Sequence, residues 1–289
     1  MRRIPSACPT VMLILAALLA SCDDVEQPSP GLPSLVVEGW IEDGGFPVVI
    51  LTTTLPVSSD YTNINNLGDH LLRWAKVTVS DGQDSVVLTG KYDSGYFPPY
   101  IYTTGRMRGK AGRSYTLTAD YRQWHATATT TIPSPPAVDG YRVERAAGSD
   151  TLYRITARLN DNAEEKNYYQ IFTKTGSASK QYAASYLGCI DDAVLDGPAD
   201  IPVYRPHLMT GGKYTPYFSV NDTVYVKFAQ IDRASFRFWN EYIKSQSLAN
   251  NMFLYTSSNL PSNITGGLGY WCGYGSTEGM FIIRDYAGE

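Results

Sequence analysis

The stretch LVVEGWIEDGGFPVVILTTT, residues 35–54, narrows the fold more than any other. Two runs rich in β-branched residues flank Asp43, Gly44 and Gly45. A glycine-containing turn between such runs marks an antiparallel hairpin, because glycine supplies the positive φ that a tight reversal needs. An amphipathic helix would place apolar residues every three or four positions, whereas here they alternate or run on unbroken. The pattern repeats downstream. AKVTVSDGQDSVVLTG (75–90) alternates on both sides of Asp81-Gly82, a second hairpin. SYTLTADYRQWHATATTTI (114–132) supplies two more strands, with Tyr115, Leu117 and Ala119 on one face and Ser114, Thr116 and Thr118 on the other. The polar segment SSDYTNINNLGDH (58–70) reads as an exposed loop. Six to eight short strands in about a hundred residues predict an immunoglobulin-like β-sandwich over residues 34–133.

The prolines of PSPPAVDG (133–140) interrupt any ladder and predict a linker over residues 134–140. A second β-rich domain is expected over 141–289, with strands in DTLYRITARLND, KNYYQIFTKT and DTVYVKFAQID. The period then changes. In RASFRFWNEYIKSQSLAN (233–250), Phe236, Trp239 and Ile243 share one helical face, Asp232 is placed to cap the start and Asn250-Asn251 to end it. Residues 257–276 are glycine-rich and read as loop, and GMFIIRDY (279–286) as a closing strand. The class is therefore mainly all-β: a sandwich followed by a β-rich domain carrying one amphipathic helix.

The N-terminus carries an address. Arg2 and Arg3 precede the apolar run Val11–Ala20, which is shorter than the roughly 20 residues a membrane-spanning helix needs. The run suits a secretory signal peptide over residues 1–21. It ends in LASC, the lipobox pattern, in which cleavage precedes a cysteine bearing diacylglycerol, so Cys22 is expected to be the lipidated first residue. Several acyl chains on one residue hold a protein stably on a membrane. The polar, proline-containing DDVEQPSPGLP then reads as part of a tether over 22–33, reaching roughly 30 Å at about 3.1 Å per residue.

A formal net charge of -4 and the lack of any basic run leave no electrostatic reason to bind nucleic acid. His70, His125 and His207 stand apart from one another, and no HExxH, GxSxG or phosphate-loop pattern occurs. No catalytic residue, metal-ligand set or cofactor site is assigned, and the chain is expected not to be an enzyme. The acidic stretches NDNAEE (160–165) and DDAVLDGPAD (191–200) hold oxygen ligands of the type calcium takes, without EF-hand spacing; solvated loops have the same composition. Cys8 leaves with the signal peptide, so Cys189 and Cys272 remain as a candidate disulfide in an oxidising compartment. The 22 tyrosines, with Trp40, Trp74, Trp124, Trp239 and Trp271, fit first a packed β fold, with an aromatic surface for sugars or peptides as the alternative.

LVVEGWIEDG, AGRSYTLTA, ATATTTIPSPP, NDNAEEKNYY, YVKFAQIDRASFRFWNEY and LPSNITGGLGYWCGYGS occur in this order along the chain. In that order they resemble the Bacteroidota outer-membrane lipoprotein family catalogued as domain of unknown function 4249. The pair Trp271-Cys272 departs from the pattern, where a plain aromatic and a non-cysteine would be expected. The resemblance implies an outer-membrane, cell-surface location, and the acidic Asp23 and Asp24 resemble surface-export signals of such lipoproteins. It also implies a non-catalytic binding or accessory role beside a TonB-dependent outer-membrane transporter in nutrient uptake. A structural or adhesive, fimbrial-type lipoprotein is the alternative, and a glycan- or peptide-acting enzyme a third. The tripeptides beginning at Asp84, Asp150 and Asp222 resemble Bacteroidota O-glycosylation acceptors, with Ser85, Thr151 and Thr223 as the sugar-bearing residues; each also stands where a strand would open after a turn.

Overall fold

The computed structural model describes residues 33–54, 70–162, 164–195, 197–207, 214–248 and 260–284. Strands β1 (Leu35–Glu42) and β2 (Val48–Thr53) pair antiparallel across the Asp43–Gly45 turn, as their pattern predicts. The next strands are β3 (Lys76–Ser80), β4 (Ser85–Val87), β5 (Thr89–Tyr92), β6 (Tyr100–Thr103), β7 (Ser114–Tyr121) and β8 (Trp124–Thr131). The second half adds β9 (Ala137–Arg145), β10 (Leu152–Asn160), β11 (Tyr168–Thr175), β12 (Ala183–Asp191), β13 (Ala199–Val203), β14 (Phe218–Ser219) and β15 (Thr223–Ile231). Helix α1 (Arg233–Leu248) follows, and β16 (Leu268–Ile282) closes the series.

One eight-stranded sheet, ordered β12-β11-β15-β16-β1-β2-β6-β5, runs through both halves. Its spine is β16, fifteen residues long. The first part of β16 pairs parallel with β1, from Val36↔Leu268 to Glu42↔Tyr274. The rest pairs antiparallel with β15, from Gln230↔Gly275 to Thr223↔Ile282. Two four-stranded sheets pack on one face of this long sheet. The β4-β3-β7-β8 sheet encloses a first core in which Leu35, Val37 and Trp271 meet Val77, Leu117 and Ala128. The sheet of β13, β10 and β14, with β9 on the far side of β10, encloses a second core around Ile155, Leu159, Ile171 and Phe228. The fold is thus mainly β, with a sandwich and a single α-helix among the described residues. The proline-rich stretch expected as a linker enters strand β9 at Ala137.

The opposite face of the long sheet carries α1. Phe238, Trp239 and Ile243 pack on Phe172, Ala229 and Cys272. Asp232 caps the helix as its sequence position suggests: its Oδ1 accepts the Ser235 N–H at 2.8 Å. Its Oδ2 accepts the Thr130 hydroxyl at 2.9 Å, and Thr130 Oγ1 in turn accepts the Gly273 N–H at 2.8 Å. One carboxylate therefore starts the helix and fastens it to β8, and through Thr130 to β16. The expected helix end at Asn250-Asn251 lies outside the described residues.

Residues 268–276, expected as loop, are strand. Their glycines answer to close backbone approach. A Cβ on Gly269 would lie 1.9 Å from the Val37 carbonyl oxygen, and one on Gly275 would lie 2.1 Å from that of Pro133. Glycine in a strand can mark where another backbone passes closely, and here it has that use.

Candidate functional site

Strand β1 alternates between buried and half-buried positions along its whole length. Leu35, Val37 and Ile41 enter the first core. Glu38, Trp40 and Glu42 therefore project from the other face, the one that carries α1. Register places Tyr270 beside Glu38, Cys272 beside Trp40 and Tyr274 beside Glu42 on β16. On β2, Ile50 lies beside Glu38 and Val48 beside Trp40. Helix α1 packs against β12, β11 and β16, so the face over β1, β2 and β6 is left open beside it. There a cleft of about 420 Å³ forms, with Val48, Ile101, Trp40, Tyr96, Phe172 and Trp239 among its walls.

Its charged groups are held in place. Lys227 projects from β15 with only 8 % of its side chain exposed, a depth at which a lysine needs a counter-charge. Its Nζ lies 2.5 Å from Glu42 Oε1 and 3.5 Å from Glu278 Oε1, its cross-strand neighbour on β16. The same ammonium stands 4.4 Å from the centre of the Tyr182 ring. At the mouth, Lys180 pairs with Asp93 at 2.9 Å and its N–H donates to the Gly95 carbonyl at 2.8 Å. That pairing holds the Asp93 carboxyl below its ordinary range, with the Lys180 hydrogen bond the largest cause. Gln181 completes the clasp. Its Oε1 accepts the Phe97 N–H at 2.9 Å while its Nε2 donates to Glu38 Oε1 at 2.9 Å. The turn after β5 and the segment before β12 thus meet over the cleft.

Glu38 differs from the other acids. Tyr270 donates its hydroxyl to the same Oε1 at 3.0 Å, so both bonds reach one oxygen and both come from neutral donors. Burial pushes the carboxyl above its ordinary range, against the opposite pull of the Tyr270 and Gln181 hydrogen bonds. Glu38 also borders a second cavity, of about 750 Å³. Glu38, Gln181, Tyr182, Trp239 and Tyr270 line both spaces, so the two adjoin around this carboxylate. The second space extends past Lys174 and Arg205. Behind these walls the rings are packed edge to face, with Phe172–Trp239 centroids at 5.1 Å and Phe238–Trp239 at 5.1 Å. Trp239 Nε1 donates to the Tyr274 hydroxyl at 3.2 Å, which fixes the indole.

None of the residues singled out by motif lines either space. Cys22 lies outside the described residues. Ser85 opens β4, Thr151 immediately precedes β10 and Thr223 opens β15, each at the start of a strand. Ser85 and Thr151 are exposed and Thr223 is half-buried. The candidate pair Cys189 and Cys272 is not joined: both are free thiols. Two strands intervene between β12 and β16, which at about 4.8 Å per step sets them roughly 14 Å apart, beyond the ~7 Å Cα separation a disulfide tolerates. Burial pushes the Cys272 thiol up to about 12. Cys189 Sγ instead lies 3.6 Å from the Phe236 carbonyl oxygen. In the acidic stretch at 191–200, the Lys166 ammonium binds both Asp191 and Asp192, and Asp192 also accepts the Asn167 N–H, so a lysine occupies the position a cation would take. Among the described residues no group of three or more His, Cys, Asp or Glu is arranged to hold a metal ion.

Trp40 and Trp239, named above for an aromatic surface, do line the cleft, but its charged residues match no catalytic or ligand-binding motif. Their signal is a charged side chain at an inward position of an otherwise apolar strand: Glu38 and Glu42 in LVVEGWIE, and Lys227 in TVYVKFAQI. Among the described residues no helix is long and apolar enough to cross a membrane. The family profile described as a domain of unknown function, DUF4249, matches residues 23–279. No curated protein matches the chain.

Proposed function

The chain belongs to the DUF4249 family, and from that starting point we propose that it is a lipid-anchored binding protein of the outer-membrane surface. In this reading Cys22 is the anchor, residues 23–33 are the tether, and the folded part offers its cleft to a small ligand without turning it over. The protein acts as the accessory subunit of a TonB-dependent transporter, handing the ligand on for uptake. The observation that carries the binding role is the partly uncovered face of the long sheet, where apolar and aromatic walls surround a few fixed polar groups, the usual make-up of a ligand site. For the paired charges of the cleft, binding without turnover is supported by their engagement: Lys227 is held by Glu42 and Glu278, and Asp93 by Lys180. A group committed to a structural ion pair is poorly placed to carry a proton in a reaction.

The test is a detergent pull-down of tagged protein from its native outer membrane, read by mass spectrometry, beside a Cys22→Ala control. The expected result is a barrel transporter that co-purifies with the wild-type chain and not with the variant. Recovery of the wild-type chain alone overturns the transporter role and turns attention to adhesion.

A further inference from the structure

We propose that the cleft selects an organic cation, a ligand whose protonated amine seats on Glu38 Oε2 while its apolar body lies against the aromatic wall. The inference rests on the binding role above and names the ligand class of that same site.

The argument is one of charge matching within the cleft. Lys227 has two carboxylate partners, Glu42 and Glu278, and Lys180 has Asp93. Glu38 has no cation. Its two hydrogen bonds come from a phenol and an amide, and both end on Oε1. Oε2 accepts no hydrogen bond among the described residues, and Glu38 borders both spaces. Glu38 is half-buried, and a partly desolvated carboxylate without a counter-charge gains from a bound ammonium. The raised position of its proton equilibrium, caused first by burial, reflects the same deficit. The neighbouring surface suits the rest of such a ligand. Trp40 and Tyr96 are half-buried with ring centroids 6.2 Å apart, and their π-faces attract cations as well as apolar groups. Val48 and Ile101, both buried, lie behind them. An anionic ligand would meet Glu38, Glu42 and Glu278 with no lysine in the wall other than those already paired and Lys91 at the rim.

The experiment compares three probes of one shape and three head groups: 2-phenylethylamine, 2-phenylethanol and phenylacetate. Each is titrated by ligand-observed NMR against the full lipidated chain in detergent, wild type and Glu38→Gln. The expected result is saturable binding of the amine, about thirtyfold or more tighter than the alcohol, with phenylacetate weakest. Glu38→Gln keeps the acceptor for Tyr270 and Gln181 but replaces Oε2 by a neutral donor, and it should abolish the preference for the amine. The head-group series on wild-type protein stands even where the variant fails to fold. Equal binding of amine and alcohol, preference for the acid, no saturable amine binding, or an amine preference unchanged in Glu38→Gln each overturns the proposal. These outcomes separate from those of the pull-down. A barrel that co-purifies while the amine is not preferred removes the ligand class alone, and amine selectivity without a barrel removes the transporter alone.

Discussion

The two faces of β1 and β16 were built from the same strands to opposite ends. On one face Leu35, Val37, Ile41 and Trp271 close against β3, β7 and β8 in an apolar and aromatic core, with the hydrogen-bonded Thr130 buried on the same face of β8. On the other, Glu38, Trp40, Glu42, Tyr270 and Tyr274 surround a cleft with buried charge. The difference follows from what covers each face. Two four-stranded sheets share the closed face, each burying its own core against the long sheet. A sixteen-residue helix is about 24 Å long and one helix wide, and it cannot roof a sheet of eight strands spaced about 4.8 Å apart. The covered face is where stability is expected to reside, and the partly covered face is where polar groups can be kept for a ligand.

The largest expected effect tests the closed face. Trp271 is fully buried, its Nε1 donates to the Tyr115 carbonyl at 2.9 Å, and Asn263 grips its backbone on both sides, accepting from its N–H at 3.0 Å and donating to its carbonyl at 2.7 Å. Trp271→Ala should cost about 3–5 kcal/mol, from the lost transfer free energy, the cavity and the orphaned carbonyl. Trp40→Ala, on the open face, should cost about 1 kcal/mol, since its side chain is already half wetted. Urea melts of both variants measure this. Equal losses would break the contrast between the faces.

An intermediate effect is expected at the buried ion pair. Lys227→Met removes the cation and leaves Glu42, with 18 % of its side chain exposed, facing Glu278 without a counter-charge. The cost should be about 3 kcal/mol. Adding Glu42→Gln should recover a large part of it, because the stranded charge and not the missing lysine is the main penalty. A double variant no more stable than Lys227→Met alone would show that Lys227 contributes through packing, including its contact with Tyr182.

Sequence alone reached the closed face more readily than the open one, for a physical reason. The core face is written in period-2 alternation, and Tyr115, Leu117 and Ala119 are buried as their spacing predicts. The helix showed itself by its change of period and by Asp232. What stayed hidden was long-range pairing. Nothing local in GGLGYWCGYGS says that it will lie parallel to LVVEGWIE from the other end of the chain, and its glycines disguise a strand as a loop. The cleft depends on that pairing, since it brings Tyr270 to Glu38 and, through β15, Lys227 to Glu42. Taken singly, Glu38, Glu42 and Lys227 show only as charges in otherwise apolar strands, with nothing local to say which partner each will meet. The candidate disulfide failed for the same reason: Cys189 and Cys272 look pairable until the strand order inserts β11 and β15 between them.

The smallest expected change in stability, and the one that most sharpens the contrast, concerns Glu38. Its folded-state carboxyl is raised, with burial the main cause. Between the unfolded and the folded proton equilibria the folded state therefore holds more protons than the unfolded one, so stability falls as pH rises through that window. The contribution is complete below the ordinary carboxylate range and is lost once Glu38 ionises in place. Glu38→Gln cannot ionise, so its stability relative to wild type should rise with pH across the window and level off above it. Paired melts from about pH 4 to about pH 9 measure the difference, and the acids held low by partners, such as Asp93, cancel because both proteins contain them. A flat difference would mean that Glu38 ionises as freely as a surface glutamate and that the open face carries no stored electrostatic cost. A rising difference that disappears when an amine probe is bound would tie that cost to the ligand, because a cation at Oε2 restores the ionised form.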